Sequence, residues 1–210
     1  MGLRERKKEQ TRRTIEDAAF RLFAERGFQA TTVADIAAAA DIAPRTFFGY
    51  FPSKEDVVFC DFDATFDSLA GALRERAEGV TTFDALRTWI FEMFSEGGDG
   101  ALDPHQEIRQ RLVRENESLA SHESHLLGRV EELIRAAVAA DLGDEDHDLR
   151  PRLVAAAALA ALKAIQPLDP AEKHAKPFGD EGVAQLDEAF AFLDGGIAAL
   201  QERRAGARTS

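Results

Sequence analysis

The chain has 210 residues, of which 45% are apolar and 30% are charged, and its formal net charge is −12. This composition excludes a chain that is disordered throughout, and the single cysteine, Cys60, excludes an internal disulfide. The longest apolar run, residues 153–162, is too short to span a bilayer, and we expect a cytoplasmic protein.

Charge is divided unevenly along the chain. Residues 1–54 carry a net charge of +3, and the remaining residues carry −15. A basic N-terminal segment joined to an acidic body is typical of a protein whose N-terminal end faces nucleic acid, although a solvated charged surface produces the same asymmetry. A motif is therefore needed to decide between the two.

Helical periodicity predicts the first two helices of the N-terminal segment. The first runs from about Glu5 to Arg26 and ends at Gly27, which acts as a left-handed C-cap. Residues 32–35 form a capping-box pattern that opens a second helix, and this helix ends near Ala40.

A third helix follows a tight turn that begins at Asp41. Pro44 opens this helix, and Pro52 ends it after Phe51. Two short helices joined by a tight turn and preceded by a supporting helix have the form of a helix-turn-helix, whose second helix enters the major groove of DNA. The predicted DNA-binding domain therefore spans residues 1–53.

The remainder, residues 54–210, is predicted to be a helical body. A cap pattern at residues 53–56 starts a long fourth helix that continues to about Glu78, so a continuous helix is expected to join the two halves. Five more helices are predicted at about residues 83–96, 104–115, 119–142, 149–166 and 182–203. A glycine-rich corner at residues 97–100 and a proline-rich loop at residues 167–182 separate some of them. The predicted fold is all-α with about nine helices.

The helix-turn-helix residues also carry a family signature. The stretch from Ala30 to Ala37, followed by Ile42-Ala43-Pro44-Arg45-Thr46-Phe47-Phe48-Gly49-Tyr50-Phe51-Pro52-Ser53-Lys54, resembles the N-terminal domain of the TetR family of bacterial transcriptional regulators. The resemblance covers about residues 10–60. Beyond it the chain is similar to that family in helical character and length, which implies a C-terminal ligand-binding and dimerisation domain.

The resemblance implies a set of DNA-binding residues. Arg45 would read guanine, and Phe48, where the family often has tyrosine, would contact a thymine methyl. Thr46 would contact a phosphate or a base, and the other polar members would contact phosphates. The full set is Thr32, Arg45, Thr46, Phe48, Gly49, Tyr50 and Lys54.

Two departures from the family pattern affect this segment. Asp41 stands where the family usually has glycine, and aspartate tolerates the left-handed conformation better than most residues. Gly49 offers no side chain at a reading position, so specificity depends more on Arg45, on DNA shape and on the basic N-terminal arm. The cations of that arm, which follow DNA or merely solubilise a tail, are Arg4, Arg6, Lys7, Lys8, Arg12 and Arg13.

Dimerisation on a palindromic operator is expected, because a single helix-turn-helix offers little contact area. An apolar stripe on the last helix and the alanine-rich helix before it are candidates for a four-helix interface between two subunits. The alternative is that this stripe packs within its own chain. The candidate residues are Leu153, Leu159, Leu162, Val183, Leu186, Phe190, Leu193, Ile197 and Leu200.

The resemblance also implies that the body binds a small hydrophobic or amphipathic effector that releases a repressor from DNA. Periodicity does not separate residues that line a cavity from those that fill the core. The candidate pocket residues are Phe62, Phe66, Leu69, Phe83, Leu86, Trp89, Ile90, Met93, Phe94, Ile108, Leu112, Val130 and Leu133.

Two alternatives to a DNA-binding regulator remain at this point. His122 and His125 lie on one helical face and suggest a metal-binding enzyme, although no well-spaced third ligand accompanies them. A helical interaction protein that has lost DNA binding is the other. No nucleophile–base set and no phosphate-binding glycine loop is recognisable, so we expect neither an enzyme nor a cofactor.

Overall fold

The structure is a computed structural model that describes residues 2–96, 105–143, 148–165 and 180–208. Every regular element in these ranges is an α-helix, which confirms the predicted all-α class. The described helices number ten, against about nine predicted: α1 Leu3–Arg26, α2 Val33–Ala39, α3 Pro44–Phe47, α4 Lys54–Val58, α5 Phe62–Arg74, α6 Thr82–Glu96, α7 Gln106–Glu115, α8 Glu117–Leu142, α9 Leu149–Ile165 and α10 Asp180–Arg208. The predicted corner at residues 97–100 and most of the loop at residues 167–182 lie outside the described residues.

The chain divides into two compact units. Unit 1 contains residues 1–63 and 103–126, and unit 2 contains residues 64–102 and 127–210. The sequence placed the division at residue 54 and assigned α7 to the body. Leu112 of α7 and Leu119 of α8 are nevertheless buried in the same core as Phe20 and Phe47, so these segments belong to unit 1.

The core of unit 1 is rich in aromatic residues. Phe20 and Phe23 of α1 are fully buried, and their ring centroids lie 6.1 Å apart in an edge-to-face arrangement. Gly27 ends α1 with a φ of 80°, and its N–H donates to the carbonyl of Phe23. Phe28 then folds back to within 5.2 Å of the Phe23 ring, as predicted.

The helix-turn-helix forms as predicted except for the length of its second helix. Thr32 and Asp35 complete the capping box of α2, and Asp41 adopts the left-handed φ of 55° that the turn requires. Helix α3 ends at Phe47 rather than Phe51. The N–H of Gly49 donates to the carbonyl of Thr46 at 3.0 Å, and this i to i+3 bond starts a tighter turn.

The prediction of a continuous fourth helix is wrong, because the helix is interrupted between α4 and α5. The carbonyl of Val58 accepts a hydrogen bond from Arg109 Nε at 2.6 Å, and the carbonyl of Cys60 accepts one from the Arg12 guanidinium. These carbonyls bind side chains from α7 and α1 instead of amides one helical turn later. Partly buried carbonyls at a helix break need such partners, and the spacing of apolar residues along α5 does not reveal them.

Unit 2 has its own core and a polar network beside it. Phe83 of α6 and Phe190 of α10 are fully buried, with ring centroids 5.2 Å apart. Asp141 of α8 accepts hydrogen bonds from the backbone N–H and hydroxyl of Thr82, at 2.8 and 2.6 Å, and pairs with Arg76 at 2.6 Å. Asp141 thereby satisfies the buried Thr82 side chain and ties the start of α6 to α8.

Cys60 lies in the interruption between α4 and α5, and its burial there predicts a low reactivity of its thiol. Burial raises the pKa of the Cys60 thiol to about 12, and the carboxylates of Asp61 and Glu16 act in the same direction. At about pH 8 the reactive thiolate is therefore roughly a thousandfold scarcer than in an ordinary cysteine. We expect Ellman's reagent to label native Cys60 roughly a thousandfold more slowly than the chain unfolded in guanidinium chloride, with the native rate rising as the pH is increased.

The matched control is an Ala24→Cys substitution on the exposed surface of α1, made in a Cys60→Ser background. This thiol should react at a similar rate in the native and the unfolded chain. Equal native rates for Cys60 and for the control would contradict the expected burial effect.

Candidate nucleic-acid interface

Helix α3 carries the side chains predicted to read DNA. Arg45, Thr46 and Phe48 are exposed, whereas Phe47 between them is fully buried in the core of unit 1. Phe48 is 57% exposed and meets the Phe47 ring edge-on, with 5.5 Å between centroids. The burial of Phe47 anchors the helix, so a guanidinium, a hydroxyl and an apolar ring share the exposed surface of one turn.

The local backbone favours glycine at position 49, in addition to the absence of a side chain on the reading surface. A Cβ at this position would lie 3.2 Å from the carbonyl oxygen of Thr46, closer than most real Cβ contacts. Its backbone therefore turns tightly after α3. Tyr50, the next residue, is half-buried and packs against the core of unit 1.

Thr32 is exposed at the N-cap of α2, and its polar groups are already hydrogen-bonded to Asp35. The Thr32 hydroxyl and N–H donate to the Asp35 carboxylate at 2.5 and 2.9 Å. The Thr32 hydroxyl, and then its N–H, lower the pKa of Asp35, which stays ionised near neutral pH. A phosphate that binds Thr32 has to compete with this carboxylate.

Two cations predicted to face DNA are engaged within unit 1. Lys54 Nζ donates to the carbonyls of Phe28 and Thr31 at 2.8 and 3.0 Å. Arg12 pairs with Glu16 at 3.1 Å, donates to the Cys60 carbonyl and lies 4.7 Å from the centroid of the Phe51 ring. The i to i+4 spacing along α1 could have indicated the Arg12–Glu16 pair, whereas no sequence pattern reveals the carbonyls that Lys54 and Arg12 bind.

The remaining cations of the N-terminal arm lie on α1, which begins at Leu3. Arg13 pairs with Glu9 at 3.1 Å, one helical turn away. Four cations at the start of the helix are exposed to solvent: Arg4, Arg6, Lys7 and Lys8. The described part of the arm is therefore helical.

The predicted effector-pocket residues do not form one group. Ile108 and Leu112 pack in the core of unit 1, apart from the others. Leu69, Phe83, Leu86 and Ile90 are buried in the core of unit 2, with Trp89, Val130 and Leu133 half-buried against it. Phe62 and Phe66 of α5 are half-buried, and Met93 is 40% exposed on α6. The side chain of Phe94 lies outside the described residues.

Several residues of the predicted dimer stripe lie in the core of unit 2. Leu186, Phe190 and Ile197 are buried in the core of unit 2, so these α10 side chains pack within their own chain. Leu159 is buried too, and Leu162 and Leu193 are half-buried, whereas Leu153 is 59% exposed. The side chains of Val183 and Leu200 lie outside the described residues. A regular apolar spacing marks a buried face and does not say which molecule covers it.

The opposite face of α10 carries a residue that the stripe omitted. Phe192 is 80% exposed, because it lies two residues after buried Phe190 and therefore about 200° around the helix. Gly195 and Gly196 are exposed beside it, and an added Cβ at either would meet nothing within 4 Å. The sequence could have indicated that Phe192 is exposed, because this residue does not fall in the apolar stripe.

The two histidines that suggested a metal site, His122 and His125, have different surroundings. His122 stacks on the Phe59 ring with 5.2 Å between centroids, and His125 is exposed. Among the described residues, no group of three or more histidine, cysteine, aspartate or glutamate side chains is placed to hold a metal ion. The part of the chain that the structure describes also contains no helix long and apolar enough to cross a membrane.

Comparison with known proteins assigns the family. Residues 15–59 match a sequence profile described as "Bacterial regulatory proteins, tetR family", and residues 80–198 match one described as "MftR C-terminal domain". The chain is 33% identical over 165 residues to the HTH-type transcriptional regulator TcmR of Streptomyces glaucescens, an alignment that covers 74% of this chain and 71% of TcmR.

Solved structures of similar fold include two complexes with small molecules. The SmeT–triclosan complex, of a repressor from Stenotrophomonas maltophilia, has a TM-score of 0.61 at 20% identity and covers 87% of this chain and 90% of that one. The TetR-family repressor FadR of Thermus thermophilus, in complex with lauroyl-CoA, has a TM-score of 0.51 at 26% identity and covers 87% of this chain and 92% of that one. The chain therefore belongs to the TetR family of bacterial transcriptional regulators.

Proposed function

We propose that this protein binds a palindromic operator as a homodimer in the cytoplasm and that a small hydrophobic or amphipathic effector releases it. The observation that carries the proposal is the geometry of α3. Phe47 is fully buried in unit 1, and Arg45, Thr46 and Phe48 are exposed around it. Arg45 would read guanine through O6 and N7, and Phe48 would contact a thymine methyl. Thr46 and Tyr50 would orient the helix on phosphates.

A selection of duplexes from a random-sequence DNA library tests this function. We expect the wild-type protein to enrich a palindrome whose half-sites lie about 34 Å apart. Arg45→Ala should cost about 1–3 kcal/mol on the selected duplex and relax the preference at one base pair in each half-site, because it removes a bidentate base contact. Electrophoretic mobility shift with duplexes mutated at single positions measures both effects.

Arg21→Ala is the matched control, since Arg21 is an exposed arginine on α1 of the same unit. It should leave base preference unchanged. If the wild-type protein enriches no sequence, the operator proposal fails. If Arg45→Ala keeps the wild-type preference at every position, the assignment of base reading to Arg45 fails.

We assign the homodimer to the exposed face of α9 and α10, in place of the buried stripe. An open groove of about 450 Å³ lies between these helices. Its lining includes the alanines Ala157, Ala161 and Ala189 and the polar Gln185 and Glu188, with Phe192 at its side. The exposed Leu153 and Phe192 lie on the same two helices. A face that carries both a protruding ring and a groove of small residues is complementary to itself, as a two-fold interface requires.

The exposed glycines of α10 support this assignment. Gly195 and Gly196 each lower helix stability by roughly 1 kcal/mol relative to alanine. Among the described residues, an added Cβ at either position would meet nothing within 4 Å, so the packing that the structure describes does not explain them. Their size would allow a helix of the second copy to approach α10 closely.

Phe192→Ser should weaken the dimer by at least roughly a hundredfold, because each copy would lose about 2–3 kcal/mol of buried apolar surface. Analytical ultracentrifugation over a concentration series measures this change. Phe91→Ser is the control, since Phe91 is also a largely exposed phenylalanine of unit 2 but lies on α6. Equal dissociation constants for the two variants would disprove the assignment of the interface to Phe192.

We assign the effector to the half-buried side chains of α5, α6 and α8. Phe66, Trp89 and Val130 would contact an apolar group. Polar groups lie among them: the Arg129 guanidinium is 4.4 Å from the centroid of the Phe66 ring, and Trp89 Nε1 donates to Ser68 Oγ at 3.0 Å. An apolar surface interspersed with a cation and a hydroxyl favours an amphipathic ligand. The complexes of SmeT with triclosan and of FadR with lauroyl-CoA support this ligand class.

Triclosan and lauroyl-CoA are therefore suitable probes, with free coenzyme A as the control for the polar part. A probe that binds the folded chain should raise its melting temperature by several degrees near a hundred times its Kd. It should also quench or enhance the fluorescence of Trp89, the single tryptophan, and release the selected duplex. A probe that binds without changing either the fluorescence or DNA retention would contradict the assignment.

A further inference from the structure

The ammonium of Lys54 lies at the first residue of α4, where the chain leaves the helix-turn-helix. Nζ donates to the carbonyl oxygens of Phe28 and Thr31 at 2.8 and 3.0 Å and lies 4.2 Å from the centroid of the Phe28 ring. A lysine ammonium has three donors, and two are directed at backbone oxygens of unit 1. The aromatic face provides further attraction for the charge.

The two carbonyls belong to the turn between α1 and α2, where the chain enters the helix-turn-helix. Side chains hold this turn in addition to its backbone bond from Thr31 N–H to the Phe28 carbonyl. Thr31 is buried, and its hydroxyl donates to the carbonyl of Gly27 at 2.9 Å. Lys54 supplies two charge-assisted hydrogen bonds to the same turn, and such bonds are stronger than neutral ones.

We propose that Lys54 is a positioning residue that clasps the two ends of the helix-turn-helix segment, residues 32–53. Thr31 directly precedes this segment and Lys54 directly follows it, so the ammonium connects the backbone before α2 to the start of α4. Closing the segment reduces the orientations of α2 and α3 relative to α1 before DNA arrives. The inference rests on the proposed function for its effect on DNA, and it changes the role of Lys54 from a phosphate ligand to a clasp.

Salt dependence separates the two roles of Lys54. A lysine on a phosphate releases a counterion, and its loss makes the slope of log K against log salt shallower by about 0.9 per contact. A clasp affects affinity through preorganisation of α2 and α3, and its loss leaves the number of released counterions unchanged. The two roles therefore predict the same direction of affinity change and different slopes.

The first experiment compares Lys54→Met and Lys54→Arg by mobility shift on the duplex selected by the wild-type protein, over a series of salt concentrations. Methionine keeps an apolar stem over Phe28 and removes the donors, whereas arginine keeps charge and donors. We expect about tenfold weaker binding by Lys54→Met with the wild-type slope, and recovery to within about threefold in Lys54→Arg. Arg74→Met, which removes an exposed cation from unit 2, is the control for charge loss.

The second experiment needs no DNA. Amide hydrogen exchange should be about tenfold faster in α2 and α3 of Lys54→Met than in the wild type, and unchanged in α10. Lys54→Arg should restore the protection. This measurement tests the clasp even if the wild-type protein enriches no duplex, so failure of the proposed function and failure of the clasp are distinguishable.

Three results would overturn the clasp: a shallower salt slope in Lys54→Met, unchanged DNA affinity in that variant, or unchanged exchange in α2 and α3. Circular dichroism first verifies that each variant is folded. If Lys54→Met does not fold, Lys54→Gln replaces it, because glutamine retains an uncharged donor. A phosphate contact predicts a shallower slope for Lys54→Gln as well, whereas the clasp predicts the wild-type slope.

Discussion

The proposed DNA-binding surface depends on the burial of the Phe47 ring. Phe47 is fully enclosed in the aromatic core of unit 1, with Phe51 5.8 Å away between centroids. A helix as short as α3 has little stability of its own, because one turn provides few hydrogen bonds for the residues it orders. The core contact therefore determines which way the turn faces, and the exposure of Arg45, Thr46 and Phe48 follows from it.

The same core extends beyond the helix-turn-helix. His105 stacks on Phe20 with 4.2 Å between ring centroids, and Arg109 lies 5.7 Å from the same ring while it binds the Val58 carbonyl. Helix α7 thus contributes side chains to the core and to the break after α4. The DNA-binding unit is consequently built from two separated stretches of sequence, and the end of α4 depends on an arginine 51 residues later.

Unit 2 illustrates how a regular pattern identifies a face without identifying its partner. Leu186, Phe190 and Ile197 repeat at helical spacing and are buried in the chain's own core. Phe192 lies on the other side of α10, beside an open groove whose lining includes alanines of α9 and α10. The proposed association and the internal packing would therefore use opposite faces of one helix, and hydrophobic periodicity registers the face that is buried within the chain.

Local chemistry explains which features the sequence predicted. The Gly27 C-cap, the Thr32 capping box and the left-handed Asp41 each depend on residues within a few positions, so composition and spacing reveal them. The helical class and the helix-turn-helix follow from the same local signals, and the residues around Arg45 indicated the family. These elements are confirmed.

Tertiary structure alone decided the partners of charged and apolar side chains. The sequence does not reveal that Lys54 binds the Phe28 and Thr31 carbonyls or that Arg109 binds the Val58 carbonyl at the end of α4. In each case the decisive partner is distant along the chain. A long cation can reach a phosphate or a carbonyl equally well, and only the three-dimensional arrangement of the backbone determines which acceptor lies within hydrogen-bonding distance.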